Sequence, residues 1–537
     1  MKQISKQLPI NKEQSLYSCI KDSSKKYSRR VAFYYMHRAF SYVHLVKRIN
    51  QFAYKLTKLG VKKDEPVTMC LPNIPDALYL LYAINQIGAI ANIVHPSCSL
   101  EQLDEYVTKT GSKYLFCLDT SYRTFRPLKD KGIYFVTCSP VSEFKEKIRK
   151  RYQKKFITML NDDRAENIYL LPEYKEFDNR FKEDAIYLHS GGTLSTPKTI
   201  ALSSFAINSL VANAGWFTCL DNFEDVGMLS TLPMFHGFGL CMGIHASLCY
   251  GGHDVLMPKF SRYNAVKYIA HKKLNILIGV PILYESILSK GSFKGRKLRY
   301  LTNAFIGGDN VSPALIKKFN DRMIKAKAKC RLFEGYGLTE VVNVCSVNTH
   351  NFNKEGTVGK LFPNAIGVII DEKGKELSPN LDGEICIGGE SLMNGYRFMK
   401  EDKSVYHIDK NGNKYIKTGD IGMIDEDGYL YYKSRIKRII KVSGVPVFPS
   451  EIEDVATSFD FVYEVAAIGV EDEKHGHIVK LFVKLSKTYH GSQQAALDKL
   501  NDKIVKTLGI YSKPKEIVFL DKMPHTVVGK IDTKLLK

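Results

Sequence analysis

The chain has 537 residues, 44% hydrophobic and 25% charged, with a formal net charge of +22. That length exceeds one ordinary core and calls for two or more domains, and the composition excludes a disordered chain. The positive balance suits anionic partners such as nucleotides or coenzymes. The lysines are nevertheless spread throughout, without a basic tail or an arginine–aromatic RNA module, so no nucleic acid partner is expected.

Eleven cysteines lie between Cys19 and Cys386 and form no C-x-x-C. Free thiols in a reducing, cytoplasmic setting are the simplest account, and the spacing argues against a zinc site. The N-terminus lacks the apolar core of a signal peptide, and no run of eighteen apolar residues occurs, so membrane contact is expected to be peripheral at most.

In chain order, 40–60 has helical spacing and ends at Gly60. A buried strand follows at 66–72, then helix, Gly88 and strand over 76–96, with further strands at 113–118 and 132–138. The strand-like segment 185–188 runs into Tyr187–Lys198, YLHSGGTLSTPK, and a helix is predicted over 205–217. Strand and loop at 226–236, helix and strand at 239–258 and again at 265–281, and a strand ending at Gly307 and Gly308 continue the alternation. This predicts an α/β body of mostly parallel, helix-covered sheets. After about 356 the D-G and N-G turns predict a small, barrel-like antiparallel β subdomain. A basic joint, 433–441, precedes a small α+β C-terminal lid domain. The expected division is 1–432 for the N-terminal body and 433–537 for a mobile lid.

Four motifs offer chemistry. Tyr187–Lys198 is rich in Gly, Ser and Thr and closes on a cation, which is how a chain wraps an anion, although it is not a Walker A sequence. FEGYGLTE (333–340) sets Tyr336 between glycines, with the Thr339 hydroxyl and the Glu340 carboxylate, a candidate magnesium ligand, close behind. Asp420, after the turn in TGD, could accept both ribose hydroxyls. Arg435 and Lys437 stand at the joint. Each has an ordinary alternative as a turn, a cap or a solvated charge.

Their order along the chain resembles the adenylate-forming superfamily of acyl-CoA synthetases, luciferases and peptide-synthetase adenylation domains, over nearly the whole length. LPMFHGFGL, GVPILYESIL, FIGGD, FEGYGLTE, GEICIGG, YIKTGD, KSRIKRIIKVSGVPVFPSEIE and PHTVVGK follow YLHSGGTLSTPK in the family's order. The resemblance implies that Ser190, Gly192, Thr193 and Lys198 hold the β- and γ-phosphates of ATP. It assigns Gly307, Gly308 and Asp309 to the adenine side and Tyr336 to stacking on adenine. Thr339 then contacts the α-phosphate and the acid, Glu340 binds Mg2+, and Asp420 with Arg435 binds ribose. Lys530 bridges carboxylate and phosphate during adenylation, Lys437 is the hinge of the lid, and His236 lies beside the acyl carboxylate. Ser443 and Gly444 lie where coenzyme A passes.

The implied reaction adenylates a carboxylic acid with loss of pyrophosphate, then transfers the acyl group to CoA with loss of AMP. The chain departs from the usual phosphate loop at Leu194, Ser195 and Thr199, and weaker nucleotide binding is the expected result. The resemblance is closest to bacterial fatty-acyl ligases. A pocket from 216–220, 236–240, 304–306 and 335–338 predicts a medium- or long-chain fatty acid. An aryl, sterol or other bulky acid, loading of a carrier protein in trans, and a non-enzymatic nucleotide-binding homologue are the alternatives.

Overall fold

The computed structural model describes residues 10–156, 165–189, 198–309, 311–400, 402–472, 474–525 and 531–536. The helix Tyr42–Lys58 starts where the Ser41 side chain accepts a bond from the His44 amide. The helix Pro75–Gln86 begins on a proline and is buried at every position. A helix apolar on all sides belongs in the interior. It lies in one cluster with Val67 and Ile186 of one large sheet and Phe33 and Ile276 of another.

The first of these sheets has seven strands. Asp184–His189, Ile90–Ile93, Pro66–Cys70, Tyr114–Leu118 and Tyr134–Cys138 run parallel in that spatial order. Thr199–Ser203 pairs antiparallel with Asp184–His189, and Gly395–Arg397 pairs antiparallel with Thr199–Ser203 to form the edge. The strand Thr199–Ser203 was not predicted. The helix expected over 205–217 is present, as helices Ser204–Val211 and Ala214–Thr218, with this strand between it and the anion loop. The loop therefore joins two adjacent antiparallel strands rather than a strand and a helix.

The second sheet has nine strands. Six are parallel, from Val31–Tyr35 through His253–Leu256, Gly227–Ser230, Ile276–Gly279 and Asn303–Ile306 to Arg331–Tyr336. The expected apolar helix after residue 238 is π-helical over Phe238–His245 before becoming α-helical over Ala246–Cys249. Beyond the body, Ala365–Ile370, Gly383–Gly389, Lys414–Ile424, Tyr406–Ile408 and Leu430–Arg435 make the small antiparallel sheet.

A single 3-10 turn, Ile436–Arg438, leads to the lid. There five strands carry the helices Pro449–Thr457 and Gln493–Leu508. The lid has its own apolar cluster, with Ile452, Leu481, Val483, Leu500 and Ile504 fully buried. Among the described residues, no helix is long and apolar enough to cross a membrane.

Because the lid buries its own core, Leu481→Ala is expected to cost about 2–5 kcal/mol of lid stability. Hydrogen exchange should then accelerate in Val462–Asp472 and Gly476–Leu485 and stay unchanged in Pro66–Cys70. Equal acceleration in both regions would show that body and lid unfold as one unit.

Candidate active site

The site lies where the second sheet, the antiparallel sheet and the joint meet. Parallel strands Asn303–Ile306 and Arg331–Tyr336 end side by side. A Cβ on Gly307 would stand 2.6 Å from the Gly335 carbonyl oxygen, so only glycine lets the two strand ends approach this closely. Gly308 has φ +82°, and Asp309 follows exposed at the rim.

Tyr336 donates its hydroxyl to Asp420 Oδ2 at 2.6 Å. Burial, then the Asp420 charge, pushes the Tyr336 phenol well above its ordinary range, so it remains a donor. Asp420 is 1% exposed and pairs in register with Arg435, whose Nε lies 3.0 Å from Asp420 Oδ1. The Tyr432 ring lies 5.7 Å from that of Tyr336. The predicted adenine-side aromatic and ribose pair are thus brought together, with Tyr432 as a second aromatic that the sequence did not single out.

Thr339 and Glu340 open a 3-10 turn, Thr339–Val341. Glu340 Oε1 accepts from the Tyr396 hydroxyl at 2.9 Å, and the Lys198 ammonium stands 4.4 Å from the centre of the Tyr396 ring. Tyr396 therefore links the cation closing the anion loop to the candidate magnesium carboxylate. It lies on Gly395–Arg397, a segment whose only sequence signal is one tyrosine after a glycine. A single carboxylate beside the candidate phosphate-binding cation fits Mg2+, which takes one or two carboxylates along with substrate phosphates. Ser190, Gly192, Thr193 and Lys530 lie outside the described residues, as do Leu194 and Ser195.

His236 is exposed, and its Nδ1 accepts from the Phe238 amide at 3.3 Å. It sits against the turn after Glu340. A Cβ on Gly237 would fall 1.9 Å from the Val342 carbonyl oxygen, and one on Gly337 would fall 1.7 Å from that of Asn343. The Asn343 side chain also donates from Nδ2 to the Gly237 carbonyl at 3.0 Å. Val342 itself has φ +69°, a strained conformation for a β-branched residue.

Lys437 is exposed in the joint's 3-10 turn. Its neighbour Arg438 is anchored by Glu453 at 2.5 Å, and Glu453 also accepts from the Ala467 amide at 3.0 Å. Ser443 (φ +52°) and Gly444 (φ +83°) form the exposed two-residue turn between Ile440–Val442 and Val445–Val447, and the Ser443 hydroxyl bonds His475 Nδ1 at 2.9 Å. Two lid-facing carboxyls are shifted above the ordinary carboxylate range. Burial, then Asp454, lifts Glu334 to about 8, and burial, then Glu464, lifts Glu285 to about 7.

Residues 20–397 match the AMP-binding enzyme family, and 451–530 match the AMP-binding enzyme C-terminal domain. The chain belongs to the AMP-binding enzyme family. Its class is that of ATP-dependent, adenylate-forming acid–thiol ligases. A long-chain-fatty-acid–CoA ligase of Escherichia coli O157:H7 is 27% identical over 96% of this chain and 93% of its own. A probable 4-coumarate–CoA ligase of Dictyostelium discoideum is 26% identical over 91% and 88%. A benzoate CoA ligase from Burkholderia xenovorans shares the fold, with TM-score 0.84 and 18% identity over 97% of this chain and 99% of its own.

Gly237→Ala in this AMP-binding enzyme should force the Val342 turn aside, at a cost of about 1–3 kcal/mol. Pyrophosphate release should drop further than that loss of folded protein explains, and an unchanged rate per folded molecule would refute the close approach. Glu334 and Glu285 bind more protons folded than unfolded between their ordinary carboxylate range and about 8 and 7. Their contribution is fully present below that ordinary range and is lost as pH rises through those values. Glu334→Gln should therefore flatten the decline of Tm between pH 5 and 9, as calorimetry would show.

Proposed function

We propose that this enzyme activates a hydrophobic carboxylic acid, aryl or otherwise bulky rather than long and linear, as its acyl-adenylate and transfers it to coenzyme A. The observation that carries the choice of acid is the aromatic packing in the predicted pocket. Phe217 stacks on Phe362 with 12° between ring planes and meets Phe305 edge-on. Trp216 packs on Phe352 and Phe362. Rings packed among those segments favour a short, flat acyl group over an extended chain. The benzoate and 4-coumarate ligases among the similar proteins support the same reading. The second reading, a medium- or long-chain fatty acid, is favoured by the Escherichia coli relative.

The acid's carboxylate attacks the α-phosphorus of ATP in line, and pyrophosphate leaves with its bond electrons. No protein nucleophile is needed, so catalysis is positioning and charge neutralisation. Gly307, Gly308, Asp309 and Tyr336 would receive adenine, and Asp420 with Arg435 the ribose. Ser190, Gly192, Thr193 and Lys198 would grip the outer phosphates, while Thr339 and Lys530 would steady the α-phosphate and the acid near His236. Mg2+ held by Glu340 would neutralise phosphate charge. The lid, 433–537, would then turn about Lys437, and the CoA thiol, passing Ser443 and Gly444, would attack the acyl carbonyl and expel AMP.

Pyrophosphate release across benzoate, 4-coumarate, octanoate and palmitate tests the choice of acid. The aryl acids should exceed palmitate by about tenfold or more in kcat/KM, and Phe217→Ala should shift preference toward octanoate. A higher kcat/KM for palmitate would establish the fatty-acid reading. Lys530→Ala should abolish adenylation yet retain thioester formation from supplied acyl-adenylate, and equal loss of both halves would rule out its assigned role.

A further inference from the structure

A second constellation lies in the interior, on residues the ligase reaction does not use. Cys19 comes from the helix Leu16–Tyr27, and His245 and Cys249 come from the end of the helical segment that follows His236. The three ligand atoms lie within 4.8 Å of one another. No local motif announces them, because more than two hundred residues separate Cys19 from its partners. His245 and Cys249 are four apart, one helical turn, on one face.

We propose that Cys19, His245 and Cys249, completed by the Asn208 side-chain oxygen, bind a structural Zn2+ ion. Tetrahedral zinc with sulfur at about 2.3 Å and nitrogen or oxygen at about 2.0–2.1 Å sets its ligand atoms roughly 3.3–3.8 Å apart. Cys249 Sγ is 3.4 Å from His245 Nε2 and 3.7 Å from Nδ1, so it lies over the ring and must turn about its Cα–Cβ bond to share an ion with Nε2, and Cys19 Sγ is 3.5 Å from Asn208 Oδ1. The Nε2–Oδ1 edge is shorter, 2.9 Å, because a hydrogen bond spans it. The Cys19, His245 and Cys249 donors lie within 4.8 Å of one another, and rotation of the Cys249 side chain would open the group around a cation.

The surroundings hold these donors as outer groups hold ligands in metal sites. Asn208 Nδ2 donates to the Gln14 carbonyl at 2.8 Å, which turns Oδ1 toward the cluster. Gln14 Nε2 donates to Cys19 Sγ at 3.2 Å, a bond that favours a thiolate. His245 Nδ1 meets the Tyr82 hydroxyl at 3.0 Å. With zinc on Nε2, Nδ1 would carry the proton and donate to that hydroxyl. Two thiolates with Zn2+ leave the set neutral, which suits a place where Cys19, His245 and Asn208 are 4%, 2% and 0% exposed. Cys249 is half-buried. Thiolate and imidazole select zinc over Mg2+, so the site is chemically distinct from Glu340.

The ion would tie the N-terminal helix to the segment that begins at His236. The test uses the full chain, reduced, stripped with a chelator and titrated with Zn2+ against a chromophoric competitor in excess Mg2+. One zinc per chain is expected. Cys19→Ser and Cys249→Ser should each weaken binding at least tenfold, while Cys241→Ser, whose sulfur bonds the Ile207 carbonyl instead, should leave it unchanged. Co2+ added to the unmutated protein should give thiolate-to-metal charge-transfer absorption, a readout independent of whether the serine variants fold. Absence of stoichiometric zinc uptake, uptake that survives both serine changes, or a cobalt spectrum without thiolate bands would each overturn the proposal.

Discussion

The Asp420 carboxylate is the point on which the site's geometry depends. It is buried, and a buried carboxylate is tolerable only when donors and an opposite charge surround it. Tyr336 supplies one donor from the end of the parallel sheet, and Arg435 supplies the charge from the strand entering the joint. The parallel sheet and the antiparallel sheet that leads into the joint are therefore registered against one another by a single anionic group. Asp420→Ala would remove more than a ribose contact. It would leave the Tyr336 hydroxyl without its acceptor and Arg435 without its counter-charge.

A second constraint is the contact between two turns, where Gly237 and Gly337 both face the Val342–Asn343 backbone. No side chain fits there. The segment carrying His236 and the one carrying Thr339 and Glu340 are thereby held together by close backbone approach and by the Asn343 side chain on the Gly237 carbonyl. The strain at Val342 is consistent with this, since such a conformation persists only where its surroundings impose it.

Much of this architecture was legible in the sequence. Short apolar runs between amphipathic helices announced the parallel sheets, and D-G and N-G turns announced the antiparallel ones. These signals are local, and local signals survive folding. The strand Thr199–Ser203 was missed because all five of its residues are buried, so it shows no alternation and reads as the approach to the following helix. Tyr396 and Tyr432 were missed because their importance comes from tertiary neighbours: Tyr396 matters only once Gly395–Arg397 pairs with Thr199–Ser203. The Cys19, His245 and Cys249 group was hidden for the same reason, and cysteine spacing alone pointed away from it.

That edge pairing also has a consequence in time. The strand Thr199–Ser203, which flanks the anion loop, gains its outer partner only at Gly395–Arg397, almost two hundred residues later. At about 5–20 residues per second of synthesis, the interval between them is roughly 10–40 s. Throughout that period a strand that is fully buried in the folded protein leaves the ribosome with one open edge and without its cover. The growing chain is thus exposed to edge-to-edge association long before the enzyme can bind a nucleotide.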